Sequence, residues 1–140
     1  MTESAVVDAG PIVAFFDPGD ADHEWAVETF RRLLMPLVTC EPVLAEAMYL
    51  LSFSPQSQDL ILDWLGDGEL AIAFDLSEES VAVRRLMSKY RDVPMSFADA
   101  CVVRMAEKLV RHAVCTLDSD FRVYRKHGRA PIRLVAPDVE

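Results

Sequence analysis

Ala5-Val6-Val7-Asp8-Ala9-Gly10-Pro11 is the stretch from which the rest of the chain can be read. Three apolar residues in a row, without polar alternation, describe a short strand buried on both faces. Pro11 then opens a helical turn to Phe16, because a first helical position has no use for the N–H that proline lacks. Between strand and helix stands Asp8, the only charge between Ser4 and Phe16.

The alternation continues down the chain. His23 to Leu34 carries Trp25, Val27, Phe30, Leu33 and Leu34 near helical spacing, and Trp25 and Phe30 read as helix core and not as a platform for bases. Leu37 to Cys40 reads as a second strand. Pro42 starts a helix to about Leu51 that is apolar nearly all round and therefore expected to be buried. Gln56 to Leu65 is a further helix stopped by Gly66-Asp67-Gly68, and Glu69 to Phe74 a third strand. Ser77 and Ser80 are cap candidates for the helix after it, and Ser96 for a helix from about Phe97 to Val110. Ala113 to Leu117 is a fourth strand and Ile132 to Val135 a fifth. Strands alternating with helices predict an α/β fold: a central parallel sheet of four to five strands with helices on both faces.

The 140 residues, with no repeat or linker, predict one domain over 1–140. A hydrophobic content of 51 % with 5 Gly and 8 Pro is that of a packed protein. No apolar run approaches the roughly 20 residues of a membrane span, and Met1-Thr2-Glu3-Ser4 lacks the basic start of a leader. Cys40, Cys101 and Cys115 are odd in number and without C-x-x-C spacing, so reduced, buried thiols and a cytoplasmic location are expected. The net charge of −9 excludes a general nucleic-acid coat, yet Arg104 to Arg133 holds 8 Lys/Arg against 3 Asp/Glu. That segment is a candidate phosphate-facing edge, with ordinary solvated helix faces as the alternative.

Three more carboxylates stand alone like Asp8. Glu46 is the only charge from Pro42 to Pro55, Asp99 the only one from Val93 to Val103, and Asp118 follows Ala113-Val114-Cys115-Thr116-Leu117. Burying an unpaired carboxylate costs several kcal/mol or forces it to take up a proton. A divalent cation, Mg²⁺ or Mn²⁺, would offset that cost at all four, and it takes carboxylate oxygens together with several waters. Such an ion can place an attacking water and stabilise the oxygens of a phosphodiester under hydrolysis. Asp8, Asp99 and Asp118 are then expected to bind metal directly, and Glu46 to bind through water or to orient the nucleophile. The plainer readings are caps: Asp8 for the helix after it, Asp99 as partner of Ser96 in a capping box, Asp118 for a turn. Arg122, Arg125, Lys126 and Arg129 follow Asp118 and are candidates for holding a phosphodiester backbone, RNA if the resemblance given next holds. His23, His112 and His127 show no metal-ligand spacing and read as surface residues.

Val6-Val7-Asp8-Ala9-Gly10-Pro11, the Glu46 helix, Ser96-Phe97-Ala98-Asp99-Ala100 and Thr116-Leu117-Asp118-Ser119-Asp120-Phe121 together resemble the PIN domain family. In size and pattern the chain is similar to VapC-type toxins of bacterial toxin–antitoxin pairs. The resemblance implies a Mg²⁺- or Mn²⁺-dependent endoribonuclease, held inactive by a small antitoxin protein, and a homodimer. It matches Asp8, Glu46, Asp99 and Asp118 to the family's acidic quartet and Thr116 to its hydroxyl residue, with Ser96 a second supporting hydroxyl and Asp120 a candidate fifth acid. Gly10 departs from the pattern, standing where Ser or Thr is frequent. Two other readings remain open: a Mg²⁺-dependent phosphotransfer or phosphatase-like protein, and an inactive PIN-like binding module. The phosphatase pattern wants a second Asp where Gly10 stands, and neither Lys89, Lys108 nor Lys126 ends a strand.

Overall fold

The computed structural model describes residues 3–139. β1 (Ala5–Val7) leads through Asp8 into α1 (Ala9–Phe16), and α2 (His23–Arg32) returns the chain to β2 (Leu37–Thr39). α3 (Glu41–Leu50) and α4 (Pro55–Asp67) precede β3 (Leu70–Ile72), and α5 (Leu76–Lys89) and α6 (Phe97–Lys108) precede β4 (Ala113–Cys115). A 3-10 turn (Ser119–Arg122) and a small antiparallel hairpin, β5 (Arg125–Lys126) and β6 (Ala130–Pro131), lead to β7 (Leu134–Val135).

The main sheet has the order β3-β2-β1-β4-β7, parallel throughout. Ala5, Val6 and Val7 pair with Ala113, Val114 and Cys115, and Val6 pairs with Val38 on the other side. Every residue of β1, β2 and β4 is buried, so helices cover both faces as the apolar runs predict. From β1 the chain steps outward to β2 and β3, then crosses back to place β4 on β1's free side. The direction of winding therefore reverses between β1 and β4, and the crevice at the carboxyl ends of these two strands is where open α/β sheets form their sites.

α1 packs against α2, α3 and α4, while α5 packs on α6, which also lies against β1 and β4. An aromatic cluster fastens the first group. Phe15 stacks on Phe30 at 4.6 Å between centroids and meets Trp64 at 5.0 Å, and Phe16 meets Trp64 edge-on at 5.3 Å. The Ser57 hydroxyl donates to the Phe16 carbonyl at 2.6 Å, tying α4 to the end of α1. A buried ionic knot fastens α5 to α6: Glu79 accepts from Arg104 at 2.7 Å and from Lys108 at 2.6 Å. The thiols of Cys40, Cys101 and Cys115 are free and buried.

Several local expectations are corrected. Pro11 is the third residue of α1, where its missing N–H still falls among the groups without an intrahelical partner. α3 is not buried all round: Val43 and Ala47 face the core, while Tyr49 is 77 % and Leu50 48 % exposed. The cap of α5 is Asp75, whose carboxylate accepts from the Ser77 and Glu78 N–H groups; Ser77 and Ser80 lie inside the helix. α4 begins earlier, capped by Ser54, and ends at Gly68 with φ 85°, a left-handed turn suited to glycine. The strands are shorter than read, and the β5–β6 hairpin was not foreseen.

Phe30 is 3 % exposed at the centre of the aromatic cluster. Phe30→Ala is expected to cost about 3–5 kcal/mol, read as a lower urea midpoint with unchanged slope. A loss under about 1 kcal/mol would show that the cluster is not what holds α1, α2 and α4 together.

Candidate active site

The residue after β1 and the residue after β4 come side by side because those strands are in register. The Asp8 N–H extends the ladder by donating to the Cys115 carbonyl at 3.0 Å. Thr116, 1 % exposed, then donates its hydroxyl to Asp8 Oδ2 at 2.8 Å and accepts the Asp118 N–H at 3.0 Å. On the other flank the Thr39 hydroxyl donates to the Val7 carbonyl at 3.0 Å, fixing the end of β1 from the β2 side. Asp8 stands at the N-cap position of α1 but its side chain takes no capping hydrogen bond, so the cap reading does not account for it.

Asp99 lies in the first turn of α6, and Ser96 caps that helix by accepting the Asp99 N–H at 3.0 Å. The Asp99 carboxylate is held by a residue that sequence reasoning missed. The Tyr124 hydroxyl donates to Asp99 Oδ2 at 2.9 Å, and Tyr124 is fully buried. Its ring is fixed edge-on between Tyr90 and Phe121, each 5.1 Å away. No periodicity marks Tyr124 in the sequence. Only its place three residues after the apolar Phe121 hints at an inward side chain.

Asp8, Asp99 and Glu46 each sense neighbouring acids. Burial pushes Asp8 up to about 6; the Thr116 hydroxyl and the Ala9 N–H oppose this, while Asp99 and Glu46 add to it. Asp99 is raised by burial and by Asp118, against the lowering effect of Tyr124 and Ser96. Glu46 is raised by partial burial and then by Asp99 and Asp118. The Thr116 hydrogen bonds join Asp8 to Asp118, and mutual charge effects set Asp99 and Glu46 near them at the carboxyl ends of the central strands, but not all on one level. Asp8 and Asp99 are 7 % and 9 % exposed, whereas Glu46 and Asp118 are exposed at the rim. The cost of burial is largest for Asp8 and is shared by Asp99 and, in part, by Glu46. Glu46 bears less of it because α3 turns Val43 and Ala47 inward instead.

All the donors in the cleft are hard oxygens, the set that suits Mg²⁺ or Mn²⁺. Among the described residues, no three Asp, Glu, His or Cys side chains stand close enough to enclose an ion by themselves.

The remaining sequence-named residues divide. Asp118 Oδ1 accepts the Asp120 N–H at 2.9 Å, so it caps the 3-10 turn as well as facing the cleft, and Asp120 lies near enough to raise Tyr124. Arg122 pairs with Asp138. Arg125 turns its guanidinium onto the carbonyls of Arg122, Val123 and Tyr124. Lys126 and Arg129 carry no ion pair among the described residues. Gly10 has a packing reason: a Cβ there would lie 3.3 Å from Leu117 Cβ, pressing on the segment between Thr116 and Asp118. His127 is exposed; His23 and His112 are half-buried, with His23 Nδ1 2.8 Å from the Ala14 carbonyl oxygen.

The fold and its matched span can be set beside known proteins. The PIN domain model matches residues 5–127. The chain belongs to the PIN domain family. Within it, the chain is similar to Ribonuclease VapC26 of Mycobacterium tuberculosis, with 27 % identity over 115 residues, which are 81 % of this chain and 85 % of that protein. The matched span runs from β1 to the tip of the β5–β6 hairpin, so all four acids, Thr116 and Tyr124 lie within the PIN match.

Asp8 supplies a pH test of the PIN cleft. Its folded-state value of about 6 lies above the unfolded one, so the folded protein binds the proton first. Stability from this group therefore falls as pH rises from about 4 to about 6 and stays lowered above that. Asp8→Asn should raise the metal-free melting temperature at about pH 7.5, a gain on the order of 2 kcal/mol, and lose that gain below about pH 4. Equal melting temperatures at pH 7.5, in EDTA, would remove the case for a strained carboxylate.

Proposed function

We propose that this chain is a metal-dependent endoribonuclease, the toxin of a toxin–antitoxin pair. The observation that carries the reading is the floor of the cleft: two buried carboxylates, each with Oδ2 taken by a hydroxyl, facing two rim carboxylates where the sheet's winding reverses. The similarity to a protein named a ribonuclease and the PIN match point the same way.

Asp8, Asp99 and Asp118 would hold Mg²⁺ or Mn²⁺, with Glu46 acting through a water. When bound, the ion supplies positive charge for the phosphate oxygens and acidifies a water for attack. The chain's own residues do the rest. Thr116 and Tyr124 keep Asp8 and Asp99 ionised and aimed, which costs the protein stability in the metal-free state. Glu46, exposed at the rim with its affinity for a proton raised by Asp99 and Asp118, is suited to orient the attacking water and receive its proton. Lys126 and Arg129 form no ion pair among the described residues and are offered to RNA phosphates, whereas Arg125, also without a carboxylate partner, turns its guanidinium onto backbone carbonyls. Lys126 does end a strand, contrary to the sequence reading, but β5 belongs to the separate hairpin; Lys108 is held by Glu79 and Lys89 lies 5.6 Å above the Tyr90 ring, so no lysine ends a strand of the main sheet as a phosphotransfer site would need.

A small antitoxin would silence the site by placing an Arg or Lys against the acids. A homodimer and a cytoplasmic location belong to the same proposal. Among the described residues no helix is long and apolar enough to cross a membrane.

Asp8→Asn, Asp99→Asn and Asp118→Asn should each reduce Mg²⁺-dependent RNA cleavage to background in folded protein, since an amide keeps the shape and loses the charge. Two of the three cleaving at the wild-type rate would refute the site. Tyr124→Phe should fold and weaken Mg²⁺ by about tenfold or more, measured by calorimetric titration. Unchanged Mg²⁺ affinity would leave Tyr124 a packing residue only.

A further inference from the structure

The basic stretch after Asp118 contributes less free charge than its composition suggests, but the fold adds a cation to it from another element. α5 ends at Lys89, and Lys89 reaches the tip of the β5–β6 hairpin: a Cβ on Gly128 would lie only 3.0 Å from Lys89 Nζ. His127 and Gly128 form that tip with positive φ (51° and 77°), and the Arg129 N–H closes it onto the Lys126 carbonyl at 3.1 Å. The junction is fixed from both sides. Tyr90 Oη accepts the Arg125 N–H at 2.9 Å, and Glu107 accepts the His127 N–H at 2.7 Å.

Lys89 thus stands against the hairpin that carries Lys126 and Arg129, and among the described residues none of the three forms an ion pair. The nearest anchoring acid, Glu107, is buried and already occupied by Arg104 at 3.1 Å. Gathering free cations is unfavourable for the isolated protein unless an anion joins them. The hairpin also starts at the wall of the cleft, because Tyr124, which holds Asp99, immediately precedes β5.

The geometry points to a cationic strip formed by Lys89, Lys126 and Arg129 across the α5 end and the hairpin, which binds the RNA backbone as it leaves the cleft. This rests on the reading of the chain as an RNA-cleaving enzyme and adds a residue, Lys89, that lies far from the others in sequence. An acidic protein segment is the competing occupant.

The test is fluorescence anisotropy with a labelled single-stranded oligoribonucleotide in EDTA, over about 50–300 mM KCl. Lys89→Ala/Arg129→Ala should lower the slope of log K against log salt by about 1.4, two phosphate contacts on a single strand, and weaken binding about tenfold near 100 mM. Lys89→Arg/Arg129→Lys, which keeps both charges, should restore the wild-type slope. Arg31→Ala/Arg32→Ala changes net charge equally at the end of α2, just ahead of β2 and so at the amino ends of the strands, opposite the cleft, and should leave the slope near wild type. An unchanged slope in the first variant, an equal loss in the Arg31/Arg32 variant, or wild-type protein that binds no RNA at the lowest salt would overturn the strip. Cleavage of the same RNA by wild type with Mg²⁺ is scored separately. Binding that depends on Lys89 and Arg129 without any cleavage would sink the enzyme and leave the strip standing, and cleavage with an unchanged slope would do the reverse.

Discussion

A carboxylate that is 7 % exposed keeps its charge only if its surroundings favour the ionised form, and for Asp8 the Thr116 hydroxyl does so. The same oxygen receives the Asp118 N–H, so one atom fixes two of the four acids. It can do this because Val7 lies opposite Cys115, which sets the next residue of each strand side by side. A slip of one residue between β1 and β4 would turn Thr116 to the other face and leave Asp8 buried without a donor. The site therefore depends on the register of the two central strands, and every helix that covers those strands contributes to the chemistry by holding that register.

The two floor acids are treated alike. Thr116 takes Oδ2 of Asp8 and Tyr124 takes Oδ2 of Asp99, each from a buried donor that is itself packed. Each hydroxyl restricts the rotation of the carboxylate it meets. The rim acids, Glu46 and Asp118, are exposed and retain more freedom. A fixed floor and an adjustable rim suit a hydrated cation whose inner waters must be exchanged for substrate oxygens during a reaction. A cage of four rigid ligands would bind the ion more tightly and leave less room for phosphate.

What the sequence made legible follows from how far each signal extends. Lone charges in apolar segments are visible without any structure, and strand–helix alternation over most of the chain identified the parallel sheet and its site-bearing end. Burial of Glu46 was overread because a helix rich in Leu, Met and Tyr does not reveal which face turns outward; the exposed Tyr49 and Leu50 show that its apolar content exceeds what the core uses. Asp75 was passed over as a cap because Ser77 and Ser80 offered the same chemistry two and five residues later. The β5–β6 hairpin has two residues per strand, too few for alternation to register. Tyr124 belongs to the same blind spot, since its role is set by a long-range contact with Asp99 and by nothing in its neighbours.

The excess of basic residues near the C-terminus is largely internal wiring. Arg104 and Lys108 close on Glu79 and Glu107, Arg133 reaches Glu3, and Arg122 reaches Asp138. These pairs join α5 to α6 and tie the region around β7 to the start of β1. An RNA approaching a protein of net charge −9 is repelled at long range, yet at physiological salt that repulsion fades over about 8 Å. Within that distance the few unpaired cations decide where a phosphate can rest. Lys126 and Arg129, on the hairpin that follows Tyr124 and without an ion pair among the described residues, would then offer a phosphate resting places beside the cleft.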